Sequence, residues 1–317
     1  LEGAGKMDVR QFVERGYSPY EKRFDMVTRE EGSGFGASHT MEYSFSSFAV
    51  SQFAKHLSKE DDYKLLSNLS NGWKNLYDPE TRLIRPKDTK GNFLEDFNPL
   101  APWKGFQEGN AVQYTFYVPH QIDELVDLVG QETFNNRLDS IFLLSQKNIF
   151  GGGKEVDAFA GLKTVYNHGN QPNLHNFSGK PYLSQKWVRA ILDEFYGLEG
   201  IHGYGYGQDE DQGQLGAWYV MSALGLFDVK GLTEIDPKFQ IGAPLFDKVT
   251  VRLNKDYYPG EKFVIEAKKQ AVGDCYLQDI SLNNRPQDTV QLPFSEVVKG
   301  GKLVLGLGAS PNEELTH

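Results

Sequence analysis

The run Gln121-Ile122-Asp123-Glu124-Leu125-Val126-Asp127-Leu128-Val129-Gly130-Gln131-Glu132-Thr133-Phe134-Asn135-Asn136-Arg137-Leu138-Asp139-Ser140-Ile141-Phe142 decides the fold. Ile122, Leu125, Val126 and Val129 recur on one helical face, and Gly130 closes that helix. Phe134, Leu138, Ile141 and Phe142 open another at the same spacing. Working outward, Met41, Phe45, Phe48, Phe53 and Leu57 predict a helix, with Ser38 or Thr40 as its cap and Glu42 in its first turn. Asp61 to Leu76 reads as a further helix. So do the segments marked by Trp187, Ile191, Leu192 and Phe195, and by Leu215, Trp218, Tyr219 and Ser222, the latter ending near Gly225. Such apolar faces require helix-on-helix packing. No repeat has a fixed period, but helix pairs at similar spacing fit a helical toroid. Long loops intervene: Asp78 to Gln107, which carries Pro79, Pro86, Pro99 and Pro102; the stretch around Gly151 to Gly153; and His168 to Pro181. Loops of this length in a compact domain are often functional.

The pattern changes near residue 231. Val249 to Leu253 and Phe263 to Ala267 alternate, and Leu303 to Leu305 does so more loosely. Tyr258-Pro259-Gly260 and Gly300-Gly301 are turn signals. The division expected is a helical portion over 1–230 carrying the active site and a β-rich segment over 231–317. The strands are expected to be antiparallel and to complete a sheet supplied by sequence that precedes Leu1.

Composition narrows the function. With 39% hydrophobic and 24% charged residues the chain can build a core, so general disorder is excluded. A net charge of −10 argues against a nucleic-acid partner, because no basic face could release counterions. The single Cys275 excludes an internal disulfide framework and a cysteine-rich metal cluster. No apolar run is long enough to span a membrane. The chain begins at Leu1 without a signal-like stretch, and the sequons at Asn68 and Asn176 carry no argument.

Three constellations could carry chemistry. Gly205 to Gln214 is a glycine-rich approach to Asp209, Glu210 and Asp211. Three carboxylates would repel a phosphate. An EF-hand fails because Gly213 falls at loop position five and Val220 stands where the bidentate Glu belongs. An acidic turn complementing a helix dipole remains open, as does a pair, Asp209 and Asp211, in which one deprotonates a water while the other tunes it. The second, Phe106-Gln107-Glu108-Gly109-Asn110-Ala111, sets one acid among aromatic and apolar neighbours. Partial burial there would raise its pKa and keep a proton for donation; an acid in a helix's first turn is the alternative. The third, Asn167 to His175, offers amide oxygens and carbonyls suited to Ca²⁺. A zinc site using His168 and His175 lacks a third nearby ligand, and a polar turn is also open. A proton donor, a carboxylate base and an amide-rich loop on three separate loops describe an inverting glycosidase, which flanks the scissile bond with two carboxyls and leaves room for a water.

In order and spacing these residues resemble glycoside hydrolase family 92, the calcium-dependent exo-acting α-mannosidases. The resemblance runs from about Thr40 to Gly308. It includes Thr40-Met41-Glu42-Tyr43, Glu108-Gly109-Asn110-Ala111, Val118-Pro119-His120, His168-Gly169-Asn170-Gln171-Pro172, Asp209-Glu210-Asp211-Gln212-Gly213-Gln214 with Ala217-Trp218-Tyr219, and Ile241-Gly242-Ala243-Pro244-Leu245-Phe246-Asp247. It implies an amino-terminal β-sandwich on an (α/α)6 toroid, of which this chain is the later helices and terminal strands. The missing amino-terminal half is then its partner. The resemblance also implies Glu108 as general acid, Asp211 as general base with Asp209 beside it, Ca²⁺ at Asn170 and Gln171, and sugar contacts from Glu42, His168 and Glu210. The implied substrate is a mannose-containing glycan, a mannan or N-glycan, and the favoured location is secreted, periplasmic or cell-surface. Three departures stand out. Gln171 replaces a common Glu, Ser46-Ser47 replaces a frequent pair of Asp, and the chain is about five residues short after His175. They leave two rivals: a mannosyl-phosphodiester hydrolase of the same fold, and a non-catalytic carbohydrate-binding protein.

Overall fold

A computed structural model describes residues 8–22, 32–151, 160–170, 177–197 and 213–315. The chain divides into two compact units, residues 1–133 with 157–174, and residues 134–156 with 175–317. Helices predominate through Leu224 and strands after it.

The first unit contains α1 (Val9–Arg15), α2 (Gly36–His56), α3 (Glu60–Leu69), the short antiparallel pair β1 (Tyr77–Asp78) and β2 (Leu83–Ile84), α4 (Ala111–Tyr114) and α5 (Ile122–Val129). Its longest helix, α2, departs from the expected pattern. It begins at Gly36 after Phe35, so neither Ser38 nor Thr40 caps it and Glu42 lies in its second turn. Its inward face is made mostly of small residues, with Ala37, Thr40, Ser44, Ser51 and Ala54 buried beside Met41, which is buried as the spacing predicts. Phe53 is 62% exposed and Leu57 50%, contrary to the apolar stripe read from spacing. The small face works because its hydroxyls satisfy themselves locally. Thr40 donates to the Gly36 carbonyl at 2.8 Å and Ser44 to that of Thr40 at 2.7 Å. Ser44 Oγ also accepts from Trp73 N–H at 3.0 Å, and the Trp73 indole donates to Gln121 Oε1 at 2.6 Å. Small side chains thus let the turn at Gly72–Leu76 approach closely. That turn, a short 3-10 helix, ends the segment predicted as helix over 61–76, whose α-helical part stops at Leu69.

The second unit contains α6 (Gln131–Gln146, which starts in the first unit's last residues), α7 (Pro181–Glu194) and α8 (Gln214–Leu224). Trp187 of α7 stacks on Phe142 of α6 at 5.6 Å and donates from its indole to Asp139 at 2.7 Å. Strands β3 (Leu226–Phe227), β4 (Lys238–Ile241), β5 (Lys248–Arg252), β6 (Lys262–Lys269), β7 (Tyr276–Leu282), β8 (Arg285–Gln287) and β9 (Gln291–Pro293) follow, then α9 (Phe294–Val298) and β10 (Gly301–Gly308). They form a five-stranded sheet in the order β5-β6-β10-β7-β8 and a three-stranded sheet β3-β4-β9. Phe263, Ile265, Leu277, Leu303 and Leu305 of the first sheet share one apolar core with Phe239, Ile241 and Leu292 of the second.

The expectation of purely antiparallel strands is corrected here. β10 pairs with β7 antiparallel but with β6 in parallel, from Gly301 opposite Phe263 to Leu307 opposite Lys269. A parallel pair needs a long crossover, and the 270–300 stretch supplies it, α9 returning the chain to the start of β6. There the two turn signals meet: a Cβ on Gly260 would sit 2.5 Å from the Gly300 nitrogen, which only glycine avoids.

Candidate active site

The sequence around Glu108 folds as a helix entry held from three sides. Asn110 is fully buried and caps α4, its Oδ1 accepting from Val112 N–H at 3.0 Å and Gln113 N–H at 3.2 Å. Its Nδ2 donates to the carbonyls of Leu162 and Thr164, both at 2.9 Å. Gln113 Nε2 reaches the Gly161 and Thr164 carbonyls at 2.9 and 2.8 Å. Two buried amides therefore fasten the 161–164 turn to the segment that follows Glu108.

On the other side, Gln107 N–H donates to Ser38 Oγ at 2.7 Å and the Tyr114 hydroxyl donates to the Gln107 carbonyl at 2.8 Å. Ser38, expected as a cap, instead ties this loop to α2. Glu108 itself has φ +50°. Left-handed backbone in a residue other than glycine costs roughly 1–2 kcal/mol and persists where neighbours over-determine it, commonly at functional sites. The Glu108 side chain is exposed. The partial burial expected from its apolar neighbours is not observed, because Phe106 turns into the core while the left-handed backbone carries Glu108 outward.

The amide-rich loop meets this acid. Asn170 Nδ2 donates to the Glu108 carbonyl at 2.6 Å. A carbonyl only accepts, so the amide end facing it is the NH2 and Oδ1 is the other end. Before it, Asn167 is buried with neither amide atom partnered among the described residues, packed so tightly that a Cβ on Gly161 would lie 2.1 Å from its nitrogen. His168 is fully buried, with Nδ1 2.8 Å from the Tyr166 hydroxyl. Among the described residues no three His, Cys, Asp or Glu gather as a metal site. What residues 167–170 offer is hard, neutral amide oxygen, which fits Ca²⁺ in kind.

Glu42 lies exposed on α2 and accepts from the Tyr117 hydroxyl at 3.1 Å. Burial, reinforced by the charge of Glu42, pushes the Tyr117 phenol far above its ordinary range. Burial, with Asp8 and Glu42, pushes Tyr43 up to about 12. Gln171, Asp209, Glu210, Asp211 and His175 lie outside the described residues. The structure therefore brings Glu108 together with Asn170, sets Glu42 against Tyr117, and buries His168 beside Tyr166. Sequence reasoning missed Ser38, Asn110 as a clamp, Gln113 and Tyr117. Only Asn110 carried a local signal, an Asn immediately ahead of a helical run.

The glycosyl hydrolase family 92 catalytic domain matches residues 2–309. A curated relative, an uncharacterized secreted glycosidase of Arthroderma benhamiae, is 25% identical over 305 residues, covering 86% of this chain and 35% of that protein. Two solved structures from Bacteroides thetaiotaomicron are similar. The family GH92 α-mannosidase BT3965 aligns with a TM-score of 0.81 at 29% identity, over 98% of this chain and 38% of its own. The family GH92 inverting mannosidase BT2199 aligns with a TM-score of 0.78 at 29% identity, over 96% and 40%. BT3965 has also been solved with mannoimidazole bound. This chain thus spans well under half the length of each of these proteins.

Proposed function

The chain belongs to glycosyl hydrolase family 92, and from that membership we propose that it is the acid-bearing portion of an inverting, Ca²⁺-dependent exo-α-mannosidase acting on mannans or N-glycans. The observation that carries the reading is the bond from Asn170 to Glu108, which couples an amide-rich loop to an exposed acid on strained backbone. The likeness to an inverting mannosidase supports the same chemistry.

In this mechanism Glu108 protonates the leaving glycosidic oxygen. Asp211, aided by Asp209, removes a proton from the attacking water on the far side of the sugar ring. Glu42 and Glu210 hold the sugar; His168, for which the resemblance implies a sugar contact, is fully buried with its Nδ1 on the Tyr166 hydroxyl and anchors the loop that carries Asn170. The clamps from Ser38, Tyr114 and Asn170 fix the backbone of Glu108, so that its swing is confined to the side chain. Asn170 and Gln171 would hold the metal through amide oxygens. Bound Ca²⁺ supplies Lewis-acid contacts to sugar hydroxyls.

The helices belong, on this reading, to a later part of an (α/α)6 toroid carrying the site, with the segment after residue 230 returning to a preceding β-sandwich that the missing amino-terminal half supplies. The secreted relative supports a location outside the cytoplasm, and no described helix is long and apolar enough to cross a membrane.

The test is mannose release from α-1,2-, α-1,3- and α-1,6-mannobiose by the enzyme at its full natural length, with Ca²⁺ and with chelator. Chelator-sensitive release that Glu108→Gln abolishes is expected. Release that survives the substitution removes Glu108 from the mechanism, and hydrolysis confined to a mannose-1-phosphodiester moves the assignment to that leaving group, which needs little acid assistance.

A further inference from the structure

Tyr117 is built into the fold as a fixed donor. Phe45 braces its ring edge-on at 6.2 Å, and Phe45 in turn stacks at 5.8 Å on His120, whose Nε2 lies 3.0 Å from the Ser70 carbonyl. Its backbone N–H donates to the Tyr114 carbonyl at 2.9 Å, and Tyr114 is the residue whose hydroxyl holds the loop of Glu108. One turn, 114–117, thus supports both the proposed acid and the carboxylate of Glu42. Burial keeps Tyr117 protonated at neutral pH, so in its bond to an ionised Glu42 the hydroxyl is the donor.

We propose that Tyr117 is a positioning residue that locks the Glu42 carboxylate in one orientation for accepting hydroxyls of a pyranose. This rests on the reading of Glu42 as a sugar contact. An ionised carboxylate has about four acceptor sites; the Tyr117 hydroxyl, 3.1 Å from Oε2, takes one of them and restrains the rotation of the carboxylate that meets the sugar hydroxyls. An unlocked glutamate on an exposed helix face would lose side-chain entropy each time the sugar bound.

The test uses the enzyme at full natural length and methyl α-mannoside as the calorimetric probe. Tyr117→Phe should weaken binding on the order of tenfold, as expected for a lost bond to a charged group, and should raise KM more than it lowers kcat. Glu42→Asp, which keeps the charge but shortens its reach towards Tyr117, should lose as much; it guards against a Tyr117 variant that fails to fold. The double variant Tyr117→Phe with Glu42→Gln should bind no more weakly than Glu42→Gln alone. Binding by Tyr117→Phe or Glu42→Asp within twofold of the parent, while Glu42→Gln weakens it, overturns the positioning role and leaves the sugar contact standing. Additive losses in the double variant overturn it as well. A parent protein that binds no mannoside overturns the function proposed above and this role with it.

Discussion

Replacing Asn110 with Ala should cost clearly measurable stability, although Asn110 touches no part of the substrate in the mechanism proposed. Its Oδ1 caps α4 through two N–H groups, and loss of a cap costs about 1 kcal/mol. Its Nδ2 serves two buried carbonyls. Thr164 keeps a second donor in Gln113 Nε2, so its oxygen stays satisfied. The Leu162 carbonyl loses the donor that Asn110 gives it, which costs about 1–2 kcal/mol more. The sum is about 2–3 kcal/mol. Urea unfolding should show a lower midpoint at unchanged slope, and hydrogen exchange at Val112 and Gln113 should accelerate. Asn110→Asp separates the two roles. It keeps the cap, so those two amides should stay protected, but it sets a carboxylate against two carbonyls and should be at least as destabilising. A cost for Asn110→Ala below about 0.5 kcal/mol, or faster exchange at the cap in Asn110→Asp, would refute the reasoning.

Three further outcomes follow from the same contacts. Asp78 is buried; burial pushes its carboxyl up, but bonds from Arg85, the Glu80 N–H and Thr81 outweigh this and hold it below the ordinary range. Its stabilisation is complete above about pH 4 and is lost as pH falls through the depressed value, so Asp78→Asn should flatten the acid limb of a stability-against-pH curve; parallel limbs would contradict this. Gly161→Ala should cost about 1–3 kcal/mol by driving a methyl into the Asn167 amide, measurable as a lowered Tm. Phe53→Lys should change the stability of this chain by no more than about 0.5 kcal/mol, because the ring is mostly exposed, and a denaturation curve superimposable on the parent's is the expected result.

Segments whose large apolar residues face their own unit were legible in the sequence. Leu125, Val126 and Val129 of α5, and Phe134, Leu138 and Phe142 of α6, are buried as their spacing requires, with Gly130 between them. The helix α2 was legible as a helix but only partly in its facing. Spacing identifies a stripe whose first members, Met41 and Phe45, pack inward, while its later members Phe53 and Leu57 are exposed and Ser51 and Ala54 are buried in their place, which the rule that large apolar residues point inward does not select. Pairing direction in the sheet was hidden for a different reason. Alternation in residues 263–267 and 303–305 fixes which side chains face the core but is the same for parallel and antiparallel neighbours. In the candidate site, Glu108 and Asn170 stand out in sequence as an acid and an amide in long loops. Their contact runs through a backbone carbonyl, which no residue type announces. Ser38 and Tyr117 were missed because they act across 69 and 75 positions of chain.

The place of β10 between β6 and β7 governs the order of events during synthesis. The hairpin of β5 with β6 and that of β7 with β8 pair locally and can form as soon as they leave the ribosome. The edges that β6 and β7 present to each other's side are filled only by residues 301–308. Until that strand emerges, two half-sheets wait with unpaired edges, and the core around Phe263, Ile265, Leu277 and Ile280 lacks Leu303, Leu305 and Leu307, the condition in which nascent chains aggregate. Interrupting translation anywhere between about Gln287 and Gly300 would therefore yield not a slightly shortened protein but two hairpins without their common centre. A folding reporter fused behind Gly308 should switch on abruptly with chain length, rather than strand by strand.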